Sequence, residues 1–229
     1  MKALFNKRAL YVILSVVICS LGMSLIDGIV QPQYFIKSLV KIALFLIIPS
    51  IYFFVNKDEQ KSLKELFKPS RRDLLLALSL GAAIYVIILG GYFLLRGVID
   101  FSGIAGKLTG DVGVTKENFL LVSLYISFAN SLLEEFFFRG FAFITLKKTS
   151  SRKFAHSFSA LLFSLYHAGM MIGWFNIGIV LLALVGLYVG GVIFNVLNEK
   201  SGNIYPSWLT HMFANFAINT IGFILFGMI

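Results

Sequence analysis

Two carboxylates and a guanidinium stand inside a single apolar run, Leu132-Leu133-Glu134-Glu135-Phe136-Phe137-Phe138-Arg139-Gly140. Ionisable groups at membrane depth cost at least a few kcal/mol each by insertion scales, so they are rare, need partners and mark functional sites. Later apolar runs add Phe163-x-x-x-His167 and His211-x-x-x-Asn215. These residue types suit water-dependent chemistry. A poorly solvated carboxylate can act as a general base, and a neighbouring imidazole can share or return the proton. A His and an Asn one helical turn apart can both donate toward one point, as an oxyanion stabiliser must. Arg139 lies one turn from Glu135, so their pairing leaves Glu134 as the less restrained base.

Helices must bring these groups together. Ser123, Ser127, Ser131, Glu135 and Arg139 recur every four residues, with Asn130 and Glu134 alongside. A helix puts such positions on one face. His156, Ala160, Phe163, Ser164 and His167 form a second stripe, and Ser207, His211, Asn215 and Asn219 a third. Lipid satisfies none of them, so all three stripes should face one another inside a bundle. At about 1.5 Å per residue, Glu134 and His167 both fall roughly 20 Å from the basic ends of their helices, while His211 and Asn215 fall roughly 10 and 16 Å from theirs. Helix tilt closes that gap. His156 sits near a basic end, away from the proposed centre. Asn219 reads as helix-to-helix glue.

The composition requires a membrane. Hydrophobic residues fill 58% of 229 positions, above the roughly 45–50% of a soluble domain. The fold class is all-α, a polytopic transmembrane bundle with an intramembrane polar cavity. Seven spans are expected: 9–26, 39–55, 74–95, 119–146, 154–171, 177–197 and 204–226. They form a single domain, 1–229, with N-terminal spans at 9–95. The first span reads as retained, not as a cleaved leader. The net charge of +9 comes from loop residues and reports topology, so no nucleic-acid partner is expected. Cations at Lys2–Arg8, Lys57–Arg72, Lys147–Lys153 and Lys200 share one side. Lys37, Lys41, Arg96, Lys107 and Lys116 lie on the other. Short cytoplasmic loops carry the Lys/Arg excess, which puts the N-terminus in the cytoplasm and the C-terminus outside. On this count no second intramembrane cation is available to neutralise Glu134. The lone Cys19 reads as a small packed hydrophobe. Trp174 and Trp208 mark span ends. Gly186 and Gly190 form a GxxxG for close helix approach. Ser62–Arg72 is either an amphipathic surface helix or a charged loop, and Gly97–Asn118 is a Gly-rich cover over the outer side.

The ordered set Glu134-Glu135-x-x-x-Arg139, Phe163-x-x-x-His167 and His211-x-x-x-Asn215, with its Phe138-Arg139-Gly140 ending, resembles the CAAX protease and bacteriocin-processing (Abi) family of intramembrane proteases, which includes the CAAX prenyl endopeptidases. The likeness covers about 119–216. It implies an endopeptidase acting on a membrane-delivered peptide or protein, in which Glu134 and His167 activate water and His211 and Asn215 steady the oxyanion. Glu135 and Arg139 support the site.

Other readings stay open. No cofactor is favoured, but Glu134, Glu135, His167 and His211 are also acceptable zinc ligands, and members of the family have been described both as metalloproteases and as glutamate proteases. A non-catalytic scaffold or bacteriocin-immunity factor of the same fold would act through a protein partner. A proton- or ion-coupled carrier is disfavoured because no internal repeat is evident. HExxH and GxSG motifs are absent. The expected location is a prokaryotic cytoplasmic membrane.

Overall fold

The computed structural model describes residues 6–229, so Lys2 lies outside the described residues. Among these residues the chain is helical and forms no strand. Six helices are long and apolar enough to cross a membrane: α1 (Lys7–Val30), α2 (Tyr34–Val55), α4 (Arg71–Leu95), α6 (Phe119–Thr149), α9 (Ile177–Ser201) and α10 (Tyr205–Leu225). Between them lie α3 (Lys57–Leu66), α5 (Ile104–Val112), α7 (Arg152–Tyr166) and the single turn α8 (Ala168–Met171).

The fifth expected span is the exception. Helix α7 has 15 residues, so it reaches about 22 Å, short of the roughly 30 Å hydrocarbon core. Its ends nonetheless lie toward opposite ends of the bundle. Arg152 meets Glu199 near the end of α9, while Ser164 Oγ donates to the Leu184 carbonyl nearer the start of α9. Helix α7 therefore runs alongside α9 between those two ends, and the expected fifth span is a shortened helix. The bundle closes on it because Gly169, just beyond His167, meets α1: a Cβ at Gly169 would lie 2.5 Å from the Ser24 carbonyl oxygen.

Helix starts follow their local chemistry. Asn6, Ser70, Ser151 and Asn176 each accept a first-turn N–H from Ala9, Asp73, Phe154 and Ile179, which satisfies a donor the helix leaves orphaned. The segment read as either a surface helix or a loop, and the outer cover, both contain helices. Helix α3 runs from Lys57 and ends at Leu66, so only its last turns overlap the expected segment 62–72. Its buried Leu66 accepts the Ile204 N–H through its backbone. The outer segment 97–118 carries α5 and is pinned by Lys107 to the Gly173 carbonyl and by Lys116 to the Gly227 carbonyl.

The main core gathers α1, α2, α6 and α7 around Phe45, Phe137, Phe138, Phe141 and Tyr166. Phe45 stacks on Phe137 at 4.1 Å between ring centroids, so α2 is joined to the acidic stretch of α6 by packing as well as by charge. The expected GxxxG does not make that kind of contact. Nothing would lie within 4 Å of a Cβ at Gly186 or Gly190, whereas one at Gly191 would lie 3.0 Å from Ala160 Cα. The close approach of α9 to α7 is made one residue along.

Candidate functional site

Helix α6 keeps its four-residue stripe on one face by widening. On a regular helix, steps of four residues drift by about 40° each. Wide π turns at Ile126–Asn130 and Phe136–Phe143 close i→i+5 bonds and hold more residues per turn, which takes up the drift. Ser123, Ser127, Ser131, Glu135 and Arg139 are all buried as a result. The same turns receive donors from α10. Trp208 Nε1 donates to the Phe128 carbonyl at 3.1 Å, Asn215 Nδ2 to the Ile126 carbonyl at 3.1 Å, and Asn219 Nδ2 to Ser127 Oγ at 3.0 Å. Trp208 thus ties two helices together as well as lying near a span end.

The two carboxylates have separate surroundings. Glu135 Oε1 accepts from His211 Nδ1 at 3.0 Å and pairs with Arg139 Nη1 at 3.2 Å, both side chains of the ion pair being fully buried. Arg139 lies against the faces of Phe163 and Phe194, with Cζ 4.1 and 5.0 Å from their ring centroids. Its charge is thereby matched by one carboxylate and two ring faces. Glu134 lies on the neighbouring face. Its Oε2 is 3.7 Å from His167 Nε2 and 3.8 Å from His211 Nε2. His167 Nδ1 lies 2.7 Å from the Phe163 carbonyl, which can only accept. Nδ1 therefore carries a proton, and in the neutral form of the ring Nε2 is the unprotonated nitrogen facing Glu134.

The structure overturns the expectation that Glu134 has no cation. Lys41, placed with the outer loop cations above, is 6% exposed, and its Nζ lies 2.5 Å from Glu134 Oε1. The same ammonium meets Asn130 Oδ1 at 2.5 Å and the Tyr166 hydroxyl. Helix α2 begins at Tyr34, five residues before the expected span, so Lys41 stands two turns inside it. A lysine on a span boundary gives no sequence signal of which way it faces. Position 41 lies one turn beyond Lys37, a spacing equally open to two cations that reach the interface. Lys37 pairs with the buried Asp27 at 2.6 Å.

The remaining candidates separate cleanly. Glu134, Glu135, Arg139, His167 and His211 converge. Asn215 lies one turn along α10, with one amide N–H committed to Ile126. His156 is away from the cluster, against Glu199 at 3.0 Å, where Lys147 and Arg152 also pair with the same carboxylate.

The residues do not fit a metal as arranged. Two carboxylates are already matched by the Lys41 ammonium and the Arg139 guanidinium. Glu134 Oε1 is also saturated by Asn130 Nδ2 and the Tyr166 hydroxyl, each at 2.9 Å. A divalent ion would thus add charge to a balanced set. Among the described residues no group of three or more His, Cys, Asp and Glu side chains has metal-site geometry.

A helical bundle with apolar spans and a buried Glu–His–His centre defines a class, the polytopic membrane proteins with an intramembrane polar site. Residues 116–217 match the family described as Rce1-like, type II CAAX prenyl endopeptidase Rce1-like, in agreement with the resemblance carried by the three motifs. Comparison with curated proteins and with solved structures finds no significant match. The matched stretch holds Glu134, Glu135, Arg139, His167, His211 and Asn215, and excludes Lys41.

Proposed function

We propose that this protein is an intramembrane endopeptidase that hydrolyses a peptide bond with water activated by Glu134 and His167. The family match supports a protease of the CAAX type. The observation that carries the mechanism is the 3.7 Å separation between Glu134 Oε2 and His167 Nε2. Both atoms can accept hydrogen bonds, and one water can donate to both across that gap. Its oxygen then attacks the scissile carbonyl carbon. The second amide N–H of Asn215 is a donor to the oxyanion, and His211, one turn away on the same helix and held at Nδ1 by Glu135, lines that side of the site and steadies it. Such donors act where charge develops. Collapse of the tetrahedral intermediate breaks the C–N bond as the leaving amine takes a proton.

Candidate substrates are prenylated peptides of the CAAX type and other membrane-delivered peptides. The decisive assay is cleavage of a prenylated CAAX peptide by protein in vesicles, combined with comparative peptidomics of membranes carrying wild-type or Glu134→Ala protein. His167→Ala is the cleaner variant because it leaves no charge unpaired. Loss of about 10²-fold or more in kcat is expected with insertion unchanged, and activity should survive removal of divalent ions by a chelator. Retained turnover in His167→Ala would sink the assignment, and loss on chelation that zinc restores would make the site a metalloprotease.

A further inference from the structure

Glu134 has two oxygens with different surroundings. Oε1 meets Lys41 Nζ at 2.5 Å, Asn130 Nδ2 at 2.9 Å and the Tyr166 hydroxyl at 2.9 Å. Oε2 accepts no hydrogen bond among the described residues and faces the two imidazoles. One oxygen is anchored and the other is free to work. The anchor comes from α2, outside the family-matched stretch. Lys37, one turn earlier on α2, is held by Asp27 from α1, so two ion pairs fix the rotation of α2. Lys41 also lies 4.9 Å from the Tyr166 ring centroid, and its side chain is only 7% exposed.

We infer that Lys41 is a positioning residue for the proposed hydrolysis: its ammonium holds Glu134 as an oriented anion throughout the reaction and thereby assigns the transferred proton to His167. The inference rests on the endopeptidase reading. Its physical basis is the cost of the alternative. Placing the proton on Glu134 would strand a buried ammonium without its counter-charge, and breaking a buried pair from one side is strongly unfavourable. Moving it to His167 Nε2 instead creates an imidazolium 3.7 Å from the Glu134 carboxylate, which is favourable. In balance, one O–H bond of water breaks, its oxygen bonds to the carbonyl carbon, and its proton goes to His167 Nε2. The C–N bond then breaks, and that proton passes from His167 to the amine nitrogen. Glu134 begins and ends as a carboxylate.

The test uses the full-length protein in vesicles. Lys41→Met should lower kcat by about 10²-fold with KM within a factor of about two, because the substrate is still bound but the reacting groups are not held. Infrared spectra should show a carboxylic-acid carbonyl band in Lys41→Met that is missing from the wild type and from the double variant Lys41→Met/Glu134→Gln. A lysine that only packs there, without keeping Glu134 ionised, would not create that band, and the kcat loss at unchanged KM separates positioning from a purely structural ion pair. Tyr166→Phe, which keeps the ring packing and removes one partner of Oε1, should lower kcat in the same sense and serves if Lys41→Met fails to insert. Wild-type kcat in Lys41→Met, or in Tyr166→Phe if only that variant inserts, overturns the inference while leaving the endopeptidase reading standing. A wild-type protein inactive on every peptide overturns that reading instead, and the infrared band still decides whether Lys41 keeps Glu134 ionised.

Discussion

At the scale of single residues, the site is a balanced set of charges in which each acid has its own cation. Glu135 serves Arg139 and His211, so its loss removes two functions together. Glu135→Gln should leave a fully buried guanidinium without a counter-ion, a loss of about 3–5 kcal/mol, and release the Nδ1 side of His211. The expected outcome is a lower melting temperature together with lost cleavage, read by thermal denaturation in detergent and by the peptide assay. His167→Ala should lose cleavage without a comparable drop in melting temperature, because no buried charge is stranded. Equal melting behaviour of the two variants would contradict this division. The acids were legible in the sequence because charge inside a Phe-rich run has few structural explanations, and the histidines because their spacing placed them at compatible depths. Lys41 was not legible. Its hydrocarbon stem is compatible with a span edge, where lysines reach the interface, and only a carboxylate 93 positions away along the chain fixes its direction.

Among the elements, the helices that carry the site are positioned by departures from regularity. The strict four-residue stripe of α6 was itself a sign of π turns, since a regular helix would have rotated Ser123 well away from Arg139. Hydropathy could not show where α7 stops, because the Ala168–Met171 stretch is as apolar as the helix it follows. The stop is a contact. Gly169 lets that turn meet α1 at Ser24, whose hydroxyl also donates to the Tyr166 carbonyl at 3.0 Å. Tyr166 and His167 are thus set by the junction of α7, α8 and α1. Gly169→Ala would put a methyl group against backbone, which cannot yield as a side-chain end can. Overpacking of this kind costs about 1–3 kcal/mol. It should lower both the melting temperature and kcat, whereas Gly186→Ala, facing open space on α9, should change neither measurement. Unchanged kcat in Gly169→Ala would mean that this junction does not set His167.

Across the whole molecule, the charges sort by end. Arg8–Asp58, Lys148–Glu59 and Arg152–Glu199 tie the starts and ends of α1, α3, α6, α7 and α9 together at one end of the bundle. Lys107 and Lys116 hold the opposite end. Transferring Lys41 from the outer loops to the interior leaves that outer end with fewer cations still, and the partnered Lys37 contributes little there. The basic asymmetry is therefore steeper than the sequence count alone gave, and by the positive-inside tendency we propose that the Arg8 end is cytoplasmic. With α7 counted as a pass there are seven, which puts Ile229 outside. Cysteine labelling tests both statements, starting from Cys19→Ser to remove the buried native thiol. A membrane-impermeant maleimide added to intact cells or spheroplasts should modify Ser102→Cys and Ile229→Cys, both exposed positions, but should modify the exposed Lys64→Cys only after permeabilisation. The reverse pattern would invert the orientation. Labelling of Lys64→Cys and Ile229→Cys from the same side would mean that α7 does not carry the chain across. In that case His167 would have to reach Glu134 from a re-entrant helix, and the outer end of α9 would begin on the wrong side for the Lys107–Gly173 contact.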